Sequence, residues 1–235
     1  MIKKIAILTG AAVIATTLIS APSQAALLDF TKQTFIGASG PIAGTNYTIS
    51  VVGGTLSTAQ TQDGNTCPPG DLECFRDGIG VSDGNGNQDD DDEISSRNGQ
   101  SLTITFDDVV RITGLAFLDL FMDDDSDNRE NAHVAYTGGS DNFLSDPNQV
   151  RFDGSSGFLN VTGLNILTNF LTFTVADGLL QDREYGDFAL ASVSVSAVPL
   201  PPAVVMFGVA LGGVGFMARR RRKSGSNTRS GSTVN

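Results

Sequence analysis

Ser101-Leu102-Thr103-Ile104-Thr105-Phe106 alternates polar and apolar residues, with Leu102, Ile104 and Phe106 falling on one side. Successive side chains of an extended chain point to opposite faces, so this pattern reads as a half-buried β-strand. Upstream, Thr45–Val52 alternates in the same way and stops at Gly53-Gly54. Downstream, Val109–Met122 is a long apolar stretch with Gly114 inside it, which predicts two strands or one bent strand. Ala132–Tyr136, Gln149–Phe152, Phe170–Val175 and Phe188–Val195 complete the set, the last changing phase at Ala191-Ser192. Turn signals at Gly138-Gly139, Asp153-Gly154 and Asp177-Gly178 separate these stretches. No segment between the two chain ends shows a helical stripe. Roughly seven to nine short strands over about 170 residues predict an all-β domain, a two-sheet sandwich of jelly-roll-like form.

Charge is distributed unevenly along the 235 residues. Of 15 basic residues, Lys3 and Lys4 lie near the start and six lie after Val198, whereas all 26 acids lie between. Seven basic residues therefore face 26 acids in residues 26–198, a net charge of −19. Nucleic-acid binding depends on Lys and Arg neutralising phosphates, so this balance argues against nucleic acid as a partner. It suits divalent cations, basic partners and solubility.

The two ends carry membrane signals. Lys3-Lys4 precedes an apolar stretch from Ile5 to Ile19, and Ser23 and Ala25 then supply the small residues of a cleavage site. This is the pattern of a signal peptide over residues 1–25. At the other end, Ala203 to Ala218 carries no charge and is followed by Arg219-Arg220-Arg221-Arg222-Lys223. Sixteen residues make a helix of ~24 Å, short of a full hydrocarbon core, but snorkelling arginines and the Val198–Pro202 segment can cover the difference. The basic cluster favours the cytoplasmic side. The expected orientation is a transmembrane helix in the inner membrane with residues 26–197 in the periplasm.

The succession of Val198-Pro199-Leu200-Pro201, a Gly-rich hydrophobic run and the basic cluster Arg219–Lys223 resembles the PEP-CTERM sorting signal, in its VPLPA-type variant. Pro202 stands where that variant has alanine. The resemblance covers residues 198–223, with a Gly/Ser-rich tail, expected to be disordered, at 224–235. It implies an exosortase as processing partner, association with exopolysaccharide, and a final place at the cell surface or outside the cell. Asp92-Glu93-Ile94 ahead of an alternating strand, and the Phe-bearing strand that leads into the tail, also look like features of exported proteins of this family. That likeness brings no activity with it.

Two acidic runs stand out in the middle. Asp83-Gly84-Asn85-Gly86-Asn87 opens like a calcium loop, but Gln88 and Ile94 occupy positions where a helix-loop-helix site needs Gly and Glu. The run continues through Asp89-Asp90-Asp91-Asp92-Glu93, five acids whose mutual repulsion is relieved by hydration or by a cation. Asp83, Asn85, Asp89, Asp92 and Glu93 are the candidate calcium ligands; a solvated loop is the plainer reading. The second run is Asp123-Asp124-Asp125-Ser126-Asp127, followed by Glu130. Cys67 and Cys74, the only cysteines, bracket a turn-rich hexapeptide. In an oxidising compartment a disulfide is expected between them.

Catalytic patterns are sparse. His133 is the single histidine and lies in an alternating apolar run, so it is expected on one side of a surface strand. The chain contains no Gly-x-Ser-x-Gly, no His-Glu-x-x-His and no phosphate-cradling loop. The expectation is a non-catalytic protein of the cell surface or extracellular matrix. The alternative is a secreted carboxylate-dependent polysaccharide hydrolase, since that chemistry needs only two acids at a set separation.

Overall fold

A computed structural model describes residues 25–35, 37–58, 72–84, 93–96, 99–122, 129–148, 155–176, 186–198 and 210. The described residues form eleven strands, nine of them in one antiparallel sheet; five answer to the alternating and apolar stretches of the sequence and six short ones do not. The eleven are β1 (Ala25–Asp29), β2 (Ser39–Ile42), β3 (Thr45–Val52), β4 (Thr55–Ser57), β5 (Gly80–Ser82), β6 (Ile94–Ser95), β7 (Ser101–Leu118), β8 (Asn131–Tyr136), β9 (Gly139–Leu144), β10 (Leu159–Val175) and β11 (Asp187–Ala197). The main path of the sheet runs β1-β11-β7-β10-β8-β9; β3 joins β7 and carries β2, and β6 joins β11. A separate two-stranded ladder pairs β4 with β5. The domain is all-β.

The organising element is β7. Its first half, Ser101–Phe106, pairs with β3, and its second half, Val110–Leu118, pairs with β11. Along its other side it pairs with β10 throughout. The change of partner falls at Asp107, Asp108 and Val109, all exposed. The corner is fixed by side chains: Thr45 Oγ1 donates to Asp108 Oδ2 at 3.1 Å, and Asn46 Nδ2 donates to Asp107 Oδ2 at 2.9 Å. β10 bends where its register slips between Thr168 and Phe170. There the Thr137 amide donates to Thr168 Oγ1, and Thr168 Oγ1 donates to the Phe170 carbonyl.

These corners fold the sheet back on itself. Phe117 pairs with Leu159 on β10, whereas Phe173 of the same strand pairs with Leu102. Fourteen residues of flat strand would separate those positions by roughly 46 Å. The rings of Phe117 and Phe173 are 6.4 Å apart. Phe117 also meets Phe143 of β9 at 5.8 Å and Phe188 of β11 at 5.5 Å. The core thus lies between two halves of one folded ladder, filled by Phe106, Phe117, Phe173, Phe188, Ile104, Ile112 and Leu115, each essentially without solvent exposure.

Gly114 does not break β7. A β-carbon there would meet the Val161 carbonyl at 3.0 Å, so the glycine answers a close approach by β10. At Ala191 the phase change foreseen in β11 is a bulge: Leu190 pairs with Phe117 and Ser192 with Ala116. Ser101–Phe106 and the first ten residues of Val109–Met122, separate on the sequence, merge into one strand that stops at Leu118, four residues short of the predicted end. β10 extends to Leu159, eleven residues before the alternating stretch that sequence marks. The predicted strand Gln149–Phe152 lies outside the described residues.

β1 opens at Ala25 and pairs antiparallel with β11, Ala25 opposite Ser196. The start of β1 and the end of β11 therefore leave from the cornered end of the molecule. The opposite, open end collects the starts of β6, β8 and β11 and both ends of β7. Among the described residues no helix is long and apolar enough to cross a membrane, and the apolar run from Ala203 to Ala218 falls outside them except for Ala210.

Candidate functional site

The open end holds a group of buried acids. β6 has only two residues, and it is seated by Ile94, which is wholly buried in the core. The Ser95 amide donates to Gln100 Oε1 at 2.8 Å, and Gln100 Nε2 donates to the Val81 carbonyl at 3.1 Å. Across the ladder Ser95 pairs with Asp187 and Ile94 with Phe188. Residues two apart on a strand share a face, so Glu93 and Asp187 are diagonal neighbours. Glu93 is 6% exposed and Asp187 3%.

Two further acids face this pair. Asp119 follows β7 in a left-handed conformation, φ 57°, and is 3% exposed. Its amide donates to the Ser156 carbonyl at 3.1 Å, and the Leu120 amide donates to the Gly157 carbonyl at 3.0 Å. Glu130 precedes β8; its amide donates to the Phe121 carbonyl, and the Phe121 amide donates to Glu130 Oε2. Together with the bridge between Met122 and Arg129, these bonds close the base of the second acidic run.

Burial raises the pKa of Glu93 well above the ordinary carboxylate range. The charges of Asp187 and Asp119, the side-chain hydrogen bond to Asp187, and the charge of Glu130 push it further in the same direction. Removing a carboxylate from water disfavours its ionised form, and like charges nearby add to the cost. Glu93 therefore keeps its proton where a free glutamate has lost it.

This arrangement differs from the loop expected from sequence. Glu93 is directed to Asp187, Asp119 and Glu130 across three other elements. Asp83 follows β5 and is only partly buried, and the Gly84 amide donates to Ser82 Oγ beside it. Asn85, Asp89 and Asp92 lie outside the described residues. Among the described residues no three His, Cys, Asp or Glu side chains are disposed to hold a metal ion. Asp119, Asp187 and Glu130 went unselected on the sequence. A signal was available for Asp119: a lone acid between Leu118 and Leu120 within an apolar run is a buried acid, and a buried acid needs partners.

His133 sits between the buried Ala132 and Val134, on the outer side of β8 as its alternation indicates. Its Nδ1 and Asn142 Oδ1 are 2.8 Å apart. Cys74 is disulfide-bonded; Cys67 lies outside the described residues. The backbone around Cys74 is tied to the end of β1. The Cys74 amide donates to Thr31 Oγ1 at 3.0 Å, the Glu73 amide to Asp29 Oδ2 at 3.2 Å, and Thr31 Oγ1 to Asp29 Oδ1 at 2.6 Å. Of the sorting motif only Val198 is described; Pro199, Leu200, Pro201 and Arg219–Lys223 are outside.

Fold and site together define an all-β domain with a cluster of buried carboxyls at one end. No family model, no curated protein and no solved structure matches the chain.

Proposed function

We propose that this chain is an exported, non-catalytic protein of the cell surface or extracellular matrix, carried to the inner membrane, sorted there by an exosortase and associated outside with exopolysaccharide. The observation that carries this reading is the pairing of β1 with β11. It puts Ala25 and Ala197 at the cornered end, and in sequence these adjoin the proposed signal peptide and sorting tail. β11 runs from Asp187 at the open end to Ala197 at the cornered end, ten steps of roughly 3.3 Å each. The end that holds the buried carboxyls is thus the one farther from the two chain exits. The finer architecture we propose is a jelly-roll-like sandwich, supported by the contact of Phe117 with Phe173 across the folded ladder.

Calcium is the cation this end suits. It takes six to eight oxygen ligands in flexible geometry, which the oxygen-rich acidic runs at residues 83–93 and 123–127 can supply. The non-catalytic reading is supported by the sparseness of catalytic patterns in the sequence, whose single histidine, His133, lies on the outer side of β8.

The test is the mass and cellular fraction of the mature protein expressed in a host with an exosortase. The expected product begins at Ala26, ends near the Val198–Pro201 motif and is recovered from the surface or medium. An intact chain of 24.5 kDa recovered from the cytosol would overturn the proposal.

A further inference from the structure

The outer face of the layer β1-β11-β7-β10 differs from the rest of the domain in charge and polarity. Near the cornered end this face presents Leu27, Val109, Leu167 and Val198, exposed by 38%, 55%, 47% and 36%. The register brings them together. Leu167 pairs with Arg111, and Arg111 pairs with Ser196. Val109 lies two residues before Arg111, on the same side, and Val198 two residues after Ser196. Leu27 sits opposite Ser194 on the neighbouring strand. Leu27, Val109, Leu167 and Val198 thus form one patch of exposed aliphatic side chains beside the half-buried Arg111, with Ser196 buried beneath and Asp107 exposed at its margin. None of the four is acidic, in a segment whose net charge is −19. Asp107 and Asp108, next along β7, are held by Asn46 and Thr45 of β3.

The patch adjoins the point where the chain leaves the domain. Only Pro199, Leu200, Pro201 and Pro202 separate Val198 from the uncharged run that starts at Ala203. Five residue steps reach at most about 18 Å when fully extended. A bilayer crossed by that run must therefore lie within that distance of Val198. An acidic face so placed would be repelled by anionic headgroups, whereas aliphatic side chains around an arginine fit the interface between headgroup and acyl chain.

We propose that this face, centred on Arg111, Val109 and Leu167, rests on the surface of the bilayer while the C-terminal run is inserted. This rests on the reading of Ala203–Ala218 as a membrane span.

The experiment uses the full chain in nanodiscs that contain anionic lipid and a headgroup quencher, with an environment-sensitive fluorophore attached at Leu167→Cys or, in a second variant, at Ser140→Cys. Ser140 is exposed on β9, in the other layer. The expected result is blue-shifted, strongly quenched emission from position 167 and water-like, weakly quenched emission from position 140. Introducing Arg111→Glu should reduce the quenching at 167 severalfold. Equal, weak quenching at both positions in a chain that stays with the nanodisc overturns the docking and leaves the span intact. A chain that does not co-purify with the nanodisc overturns the span itself and the docking with it. Shielding at 167 that depends on protein concentration but not on the lipid quencher assigns the face to a second copy, which also overturns the proposal.

Discussion

The carboxyl group of Glu93 is hydrogen-bonded to that of Asp187, and both residues are almost wholly withdrawn from water. Such a pair is stable with one proton between its members and costly with none. In the unfolded chain Glu93 titrates in the ordinary carboxylate range; in the folded chain it titrates well above it. Its contribution to stability is fully present below the unfolded value and is lost as pH rises through the folded one.

Thermal melting from pH 5 to pH 8 should show this directly. The wild-type Tm falls across the interval, and Glu93→Gln, which cannot ionise but can still donate to Asp187, falls less. At pH 8 the variant is the more stable, by about 2–4 °C for each kcal/mol of relief. Parallel curves for the two proteins would show that Glu93 is not the titrating group.

Phe117 makes ring contacts with Phe143, Phe173 and Phe188, on three different strands. It joins the two layers at the point where they face each other. Phe117→Ala should cost about 3–5 kcal/mol, read as a lower urea midpoint with an unchanged slope. Leu167→Ala on the exposed face should stay within about 0.5 kcal/mol of wild type. A loss at Phe117 no larger than that at Leu167 would mean the two halves of the sheet do not press together there.

The strands were legible where one face is buried and the other wet. Thr45–Val52 and Ala132–Tyr136 alternate on the sequence, and both appear as strands, the second beginning one residue earlier at Asn131. The bulge at Ala191 was legible too, because the buried phase of β11 slips by one residue at that point. The first half of β10 was not. Asn160, Thr162 and Asn165 are exposed while Val161 and Leu164 are only partly covered, so the apolar signal there is weak. β6 was invisible because two residues carry no period; Ile94 and the bonds from Gln100 hold it. The acids at 83 and 93 were visible as charge, but their separation was not. Only the pairing of Ile94 with Phe188 shows that Glu93 turns inward. Asp119, Glu130 and Asp187 lie on separate elements, and no local spacing links them.

Cys74 adopts a left-handed conformation, φ 49°, rare for a residue with a side chain, and is disulfide-bonded. We expect Cys67 as its partner within the same chain. Closing so short a loop contributes roughly 2–3 kcal/mol at most. A non-reducing peptide map should yield one cross-linked peptide holding both residues, and reductant should lower the Tm by about 4–10 °C. Cys67→Ser should reproduce that loss without reductant. Native protein whose two thiols both alkylate, or a dimer dissolved by reductant, would rule out the intrachain bond.

Calcium should stabilise the folded domain if the open end holds it. A ligand that binds only the native state stabilises by about 2.7 kcal/mol at a hundred times its dissociation constant. For a domain of this size that corresponds to a rise in Tm of about 5–10 °C. The rise should vanish on chelation and be absent with magnesium at equal concentration, because magnesium gives up its water reluctantly and demands stricter geometry. Asp89→Asn with Asp92→Asn should weaken the calcium response while leaving the metal-free melt near wild type, since the change removes two of five adjacent like charges and keeps side chains of the same shape. Proton and cation then oppose each other: if calcium draws on Glu93 as well, its effect grows as pH rises and Glu93 ionises. A response that is flat across pH and survives Glu93→Gln confines the ion to the acidic runs. No response at any pH removes calcium from the function proposed for this domain.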